Sequence, residues 1–240
     1  MEKPAGFPAT HWSVVLAARD GHETGARVAW DQLCRTYWRP VYVYVRRQGC
    51  QPADAQDFTQ AFFAHFLEKD YLTRLHHCEA RFRSFLLTFL KRFLSDEREK
   101  AAAQKRGGGW TFVGLDEFAV EEQRLTADTS SAEHAFDRRW AMTLLERARE
   151  WLRTEYVSAG KGRLYEVLQP FLSDAEPTPA YGEAAAHLGM PENSVKSAIH
   201  RLRRRYGQRI REEIARTVET PAQIEDEIRY LRSVVVERGE

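Results

Sequence analysis

One short segment near the C-terminus is unusually rich in basic side chains. Residues 196–211 hold seven Lys and Arg and no Asp or Glu, although the 240-residue chain has a net charge of only +1. A segment of this kind is suited to contact with a polyanion. Residues 81–106 carry eight basic against three acidic residues, whereas residues 107–137 carry seven acidic residues and one Arg. The pattern indicates two contacts with a polyanion, separated by an acidic stretch.

The sequence contains no recognisable group of catalytic or metal-binding residues. The "HHC" at residues 76–78 has no second group of ligands at a useful spacing, so we expect no metal site. The "RGGGW" at residues 106–110 lacks the Lys and Ser or Thr that complete a phosphate-binding loop. The sequence therefore predicts a protein that is not an enzyme and that uses no cofactor.

Cysteine usage and hydropathy indicate the compartment. Cys34, Cys50 and Cys78 are odd in number and widely spaced, which suits reduced thiols in a cytoplasm. We find no apolar run near 18 residues and therefore expect no membrane insertion. The first residues lack the basic and then apolar pattern of a secretory signal. These features predict a cytoplasmic location.

The elements that carry the basic segments are predicted to be helices, because helix-forming residues dominate and strand-type alternation is scarce. The predicted fold class is all-α, with two small helical domains joined by a flexible acidic linker, the C-terminal one a helix-turn-helix. Three glycines and an acidic composition mark the linker. The predicted divisions are an N-terminal helix extension (1–25), a first domain (26–106), the linker (107–131), a second domain (132–213) and a C-terminal helical extension (214–240).

Apolar residues at helical spacing predict the buried faces of the first domain. Pro40 falls inside the first long helix and is expected to kink or split it. The C-terminal extension begins with Thr220 as a cap and Pro221 in the first turn, and we expect its helix to pack on its own domain. The predicted core positions are Val28, Leu33, Tyr37, Val41, Val45, Phe58, Phe62, Phe66, Phe82, Phe85, Phe89 and Phe93.

A helix-turn-helix is predicted from the spacing of three residues around one turn. Ala185 lets two helices cross closely, Gly189 takes the turn, and Val195 packs the second helix back on the first. The first outward-facing residues of that helix are placed to read bases, and its arginines are placed to contact phosphates. The outward-facing set is Asn193, Ser194, Lys196, Ser197, His200, Arg201, Arg203 and Arg204.

A solvated basic helix on an ordinary α-hairpin is the simpler interpretation of the same stretch. A solvated face normally mixes charges of both signs, and these turns contain no acidic residue. The absence of acids therefore favours DNA as the partner.

Two stretches together resemble one family, the extracytoplasmic-function (ECF) sigma factors of bacterial RNA polymerase. "DAQDFTQAFFAHFLEK" with "FRSFLLTFLKRFLSDEREK" is similar to the second conserved region, and "YGEAAAHLGMPENSVKSAIHRLRRRY" to the fourth. The resemblance covers about residues 28–213. The stretch "FPATHWSVVLAARDG" is also similar to a planctomycete-like subgroup of the family.

The resemblance implies a protein that binds core RNA polymerase, directs it to promoters and helps to melt DNA. The implied partners are the β′ clamp helices and β flap of the polymerase and promoter DNA, and an anti-sigma factor is a further candidate. The helix from Asn193 to Arg204 would read the −35 element. The implied polymerase contacts are Asp54, Asp57, Thr59 and Gln60. The implied −10 contacts are Phe82, Arg83, Lys91, Arg92 and Arg98.

The sequence departs from the family pattern at three places. Ala61 stands where the family usually has Glu, and Arg92 where it often has Asn. Ala184 and Ala185 replace the typical Ile-Ala, which predicts a thinner core before the turn. A stand-alone helix-turn-helix regulator is the alternative function, but it leaves Asp57, Gln60 and the first basic segment unexplained.

Overall fold

A computed structural model describes residues 23–68, 81–104, 131–173, 180–218 and 220–236. Every regular element within these ranges is helical, so the predicted all-α class is confirmed. None of the described helices is long and apolar enough to cross a membrane. The elements are α1 (Glu23–Arg47), α2 (Pro52–Glu68), α3 (Phe82–Gln104), α4 (Ala132–Ser158), α5 (Gly162–Leu168), a 3₁₀ turn (Gln169–Leu172), α6 (Tyr181–Leu188), α7 (Glu192–Ala215) and α8 (Pro221–Val236).

The chain divides into two compact units. The first takes the residues up to Thr143 and those from Ala215 onward, and the second is Leu144–Ile214. The second unit thus begins later than the predicted start at residue 132, and the C-terminal extension belongs to the first unit. The predicted N-terminal extension and linker lie almost wholly outside the described residues.

Helix α1 presents one apolar face to the core of the first unit. Its residues Leu33, Tyr37, Val41 and Val45 are buried as predicted. Val28 is 58% exposed, contrary to the prediction, because it lies about 140° around the helix from Leu33. The helix also continues through the buried Pro40 instead of splitting, although proline removes one backbone hydrogen bond.

Helices α2 and α3 meet α1 through aromatic side chains. Phe62, Phe66, Phe89 and Phe93 are buried, and the ring centroids of Phe66 and Phe89 lie 5.2 Å apart. Edge-to-face and tilted ring pairs of this kind add to the burial of apolar area. The predicted Phe58 and Phe85 are only partly buried, so they lie at the margins of this core.

Helix α4 begins at Ala132, because the Ser131 hydroxyl caps its first turn. The His134 backbone N–H donates to Ser131 Oγ at 3.2 Å. Helix α8 likewise begins at Pro221, and the Thr220 N–H donates to the Gln223 side chain at 3.2 Å. These caps fix the start of both helices.

Helix α8 belongs to the first unit, whereas the sequence predicts that it packs on the domain that precedes it. Ile224, Leu231 and Val234 form its buried side, together with Glu227, whose side chain is 1% exposed. An acidic side chain is seldom fully buried without a partner. The partner of Glu227 comes from α3, as described below.

The second unit is built around one apolar cluster. Its helices α4, α5, α6 and α7 and the 3₁₀ turn each contribute at least one buried residue. The cluster includes Ala184 at 4% exposure, which is the small residue that predicted a thin core before the turn. The buried members are Leu152, Tyr165, Leu168, Phe171, Ala184, Val195, Ala198, Ile199 and Leu202.

Candidate nucleic-acid interface

The turn between α6 and α7 has the geometry that the glycine spacing predicts. Gly189 ends α6 in the left-handed region, with φ 63°, where residues with a Cβ are disfavoured. The Met190 N–H donates to the Ala185 carbonyl at 3.1 Å, which satisfies the end of α6. Pro191 precedes α7, and its carbonyl accepts from the N–H groups of Ser194 and Val195. The chain therefore leaves α6 and enters α7 over three residues.

The first half of α7 is divided lengthwise into a buried and an exposed face. Val195 and Leu202 are fully buried, and Ala198 and Ile199 lie beside them in the apolar cluster. With 100° between successive residues, the opposite side carries the predicted DNA contacts. Asn193, Lys196, Ser197, His200 and Arg204 lie on it and are exposed. We call these five residues the exposed stripe.

Three further predicted contacts lie beside the exposed stripe. Arg201 and Arg203 are exposed and lie on opposite flanks, about 160° apart around the helix. Ser194 is only partly exposed and lies nearer to the core. Seven of the eight predicted −35 residues are thus exposed on α7.

Several basic side chains of α7 have partners inside the second unit. The Lys196 ammonium lies 2.7 Å from Glu192 and 5.4 Å from the centre of the Tyr181 ring. Its hydrogen bond to Glu192 raises the pKa of Lys196. The Arg203 Nε donates to the Phe171 carbonyl at 2.9 Å. Part of the basic segment therefore has a structural role.

The later arginines are paired with acids that lie outside the basic segment, either on α4 or at the end of α7 itself. Arg205 forms an ion pair with Glu155, and its guanidinium lies 5.4 Å from the centre of the Trp151 ring. Arg209 forms ion pairs with Glu212 and Glu213. By contrast, Arg201 and Arg204 form no ion pair with any residue in the part of the chain that the structure describes. They are the arginines of α7 best placed to contact an external anion.

The first unit carries the other basic surface, on the outer side of α3. Lys91, Arg92 and Arg98 are exposed there, as a nucleic-acid contact requires. The Lys91 ammonium lies 2.8 Å from Glu133, a hydrogen bond that raises the pKa of Lys91 and lowers that of Glu133. The Arg98 guanidinium donates to the Gln48 amide oxygen at 2.9 Å.

Phe82 is a core residue, which corrects its prediction as a −10 contact. Its side chain is 1% exposed and packs against Tyr37 and Phe66, with ring centroids at 5.1 and 6.3 Å. An aromatic ring must be accessible to stack on a base. In this fold Phe82 stabilises the junction of α1, α2 and α3 instead.

Arg83 is also buried, so the prediction that it contacts DNA is wrong as well. Its Nε donates to Glu227 at 3.1 Å, and its Nη1 forms an ion pair with Asp137. Its guanidinium lies 4.3 Å from the centre of the Tyr230 ring and 5.1 Å from that of Trp140. The side chain is 6% exposed and joins α3 to α4 and α8.

The electrostatics of this buried cluster are balanced. Burial alone would lower the pKa of Arg83, but the carboxylates of Glu227 and Asp137 raise it further than burial lowers it. Arg81 adds a second cation, 3.1 Å from Glu227. Burial and the hydrogen bond that Tyr230 donates to Asp137 raise the pKa of Tyr230 to about 12. We call Arg81, Arg83, Asp137, Glu227 and Tyr230 the buried ionic cluster.

Helix α2 presents part of its predicted polymerase surface. Asp57 and Gln60 are exposed, three residues apart on one side, and Asp54 is partly exposed. Thr59 is fully buried, and its hydroxyl donates to the Ala55 carbonyl at 2.7 Å. The predicted contact of Thr59 with the polymerase is therefore wrong, because its side chain is inaccessible. Asp54, Asp57 and Gln60 remain accessible.

Comparison with known proteins identifies no relative. No family model, curated protein or solved structure matches the chain.

Proposed function

We propose that the protein is a sigma factor of the ECF type, which binds core RNA polymerase in the cytoplasm and directs it to promoters. The observation that carries the proposal is the exposed stripe of α7 with Arg201 beside it. Asn193, Lys196, Ser197, His200 and Arg204 lie opposite the apolar cluster. Amide, hydroxyl, imidazole and guanidinium groups on one accessible helix face are suited to base edges and phosphates in a major groove.

The remainder of the proposal depends on the first unit. Asp57 and Gln60 on α2 are accessible to a polymerase subunit, and Lys91, Arg92 and Arg98 on α3 are accessible to the −10 element. These two surfaces match the order of motifs that resembles the sigma family. An exposed acidic and amide surface on α2 together with two exposed basic surfaces supports a polymerase-dependent factor over a stand-alone regulator.

Transcription in vitro with purified bacterial core polymerase tests the proposal. A library of random upstream sequences serves as template, and the transcripts are sequenced with and without the purified protein. We expect start sites that require the protein and share two spaced upstream elements. Tight binding to a palindromic duplex without polymerase, and no such transcripts, would instead support a stand-alone helix-turn-helix regulator.

A further inference from the structure

The second unit has a surface recess of about 270 Å³ beside α7 that the sequence did not indicate. Its walls come from three places, namely the end of α4, the segment that begins α5, and the flank of α7. Four of its lining residues are charged, namely Glu155, Lys161, Arg201 and Arg205, and Tyr156 and Leu164 are among the others.

The recess has an excess of positive charge. Lys161, Arg201 and Arg205 are its cations and Glu155 is its one acid, so the net charge is +2. The ion pair of Arg205 with Glu155 holds both side chains against α4. Lys161 and Arg201 therefore supply the charge that is available to a ligand.

The backbone fixes where Lys161 enters the recess. Gly160 adopts φ 71°, and the Lys161 N–H donates to the Tyr156 carbonyl at 2.8 Å. This turn closes α4 and starts α5, and the Lys161 side chain remains exposed. Lys161 is thus a cation on a different element from Arg201 that shares one recess with it.

We propose that Lys161 and Arg201 together hold one backbone phosphate of the DNA that α7 reads, which makes Lys161 a DNA-binding residue. The proposal rests on the proposed function. A helix in the major groove has a phosphate backbone on each side, and Arg201 and Arg203 lie on the two flanks of the exposed stripe. The flank of Arg201 is the one that opens into the recess. A phosphate held by cations from two elements fixes the orientation of the protein on the duplex.

The test compares Lys161→Ala with Arg153→Ala in complexes of the full chain with core polymerase on a selected promoter duplex. Arg153 is an exposed arginine of α4 that pairs with Glu150 and does not line the recess. For Lys161→Ala we expect the slope of log affinity against log salt to fall by about 1, which is the effect of losing one phosphate contact. The loss should be equal on promoter and scrambled duplexes. Lys161→Arg should restore the slope, and Arg153→Ala should leave it unchanged.

Four experimental outcomes would contradict the proposal, and each points to a different explanation. An unchanged slope in both Lys161→Ala and Lys161→Met, with normal thermal unfolding, would overturn the proposal. Equal losses in Lys161→Ala and Arg153→Ala would overturn it in favour of a general charge effect. Weaker binding of Lys161→Ala to core polymerase in the absence of DNA would overturn it in favour of an acidic protein partner. If the wild-type chain forms no promoter complex at all, the proposed function itself fails.

Discussion

Arg204 and Arg205 are adjacent in the sequence but have different environments in the second unit. Arg204 lies on the exposed stripe and forms no ion pair among the described residues, whereas Arg205 pairs with Glu155 and lies over Trp151. A rotation of about 100° around α7 thus separates a side chain available to an external anion from one that holds α7 to α4. The two arginines provide a matched pair of variants with the same change in charge.

We expect Arg204→Ala to weaken the promoter complex and to lower its salt slope by about 1, with little change in stability. Arg205→Ala should lower the free energy of unfolding by about 0.5–1 kcal/mol, because it removes a partly exposed ion pair and a cation–π contact. Urea titration measures the stability of both variants, and salt titration of the promoter complex measures the first effect. A larger loss of stability in Arg204→Ala than in Arg205→Ala would contradict the assignment.

Arg83 tests whether the buried ionic cluster is structural. Arg83→Ala leaves Glu227 and Asp137 buried without their main cation, and we expect it to destabilise the protein by about 3–5 kcal/mol. Lys91→Ala removes the exposed pair with Glu133 and should change stability by less than about 1 kcal/mol. Arg83→Met combined with Glu227→Leu should recover part of the loss, because apolar side chains need no counter-charge. Urea titration that finds the two single variants equally stable would contradict a structural role for Arg83.

The sequence predicts exposure on α7 well, and the apolar spacing of α3 also predicts the burial of Phe82. The partner contacts that the resemblance implies for Phe82, Arg83 and Thr59 are wrong, because all three side chains are buried. Helical periodicity places a residue on a face, and the apolar residues of α7 identify the buried face without other information. For Arg83 the deciding partners, Asp137 and Glu227, lie 54 and 144 residues away in the chain. No local pattern contains that information.

At the scale of elements, the turn between α6 and α7 depends on a backbone conformation that only one residue type adopts easily. Gly189 has φ 63°, and no heavy atom lies within 4 Å of a Cβ added there. Gly207 lies within α7 with ordinary helical φ, and a Cβ there also meets nothing within 4 Å. A comparison of alanine variants at the two glycines therefore measures the effect of backbone conformation on stability without a steric contribution.

We expect Gly189→Ala to lower the free energy of unfolding by about 1–2 kcal/mol, because alanine in the left-handed region is strained. Gly207→Ala should raise it by about 0.5–1 kcal/mol, because alanine favours the helix and loses less entropy on folding. Thermal and urea unfolding of both variants measure the difference. Two changes of the same sign would indicate that the turn at Gly189 is not as described.

The apolar face of a helix predicts which of its residues are buried, but not which unit of the protein buries them. The apolar spacing of α8 correctly predicts that Ile224 and Leu231 are buried, but not which domain buries them. The ion pairs of Glu227 show that the first unit buries α8, because its carboxylate binds Arg81 and Arg83 of that unit. The second unit likewise begins at Leu144 and not at the predicted residue 132, and the start of α4 supplies Phe136 and Trp140 to the buried part of the first unit.

Over the whole molecule, the near-zero net charge conceals segregated basic and acidic segments, and local ion pairs neutralise part of the basic segment. Glu155, Glu192 and Glu213 each pair with a basic residue of α7, although the basic segment itself contains no acid. The charges that remain for partners are fewer than the sequence count suggests, and Arg201 and Arg204 are among them. The polymerase contacts are predicted on α2 of the other unit, so the two binding activities should be separable by mutation.

We expect Arg201→Ala to weaken the promoter complex by about tenfold and to leave the affinity for core polymerase unchanged, because Arg201 lies beside the exposed stripe of α7. Gln60→Ala should lower the affinity for core polymerase by about fivefold, the effect of one interface hydrogen bond, and leave the salt slope of the assembled promoter complex unchanged. Polymerase affinity is measured without DNA, and promoter affinity with saturating polymerase. Arg153→Ala serves as a surface control for both measurements. If Arg201→Ala and Gln60→Ala both reduced binding to the polymerase, the assignment of DNA and polymerase contacts to α7 and α2 would be wrong.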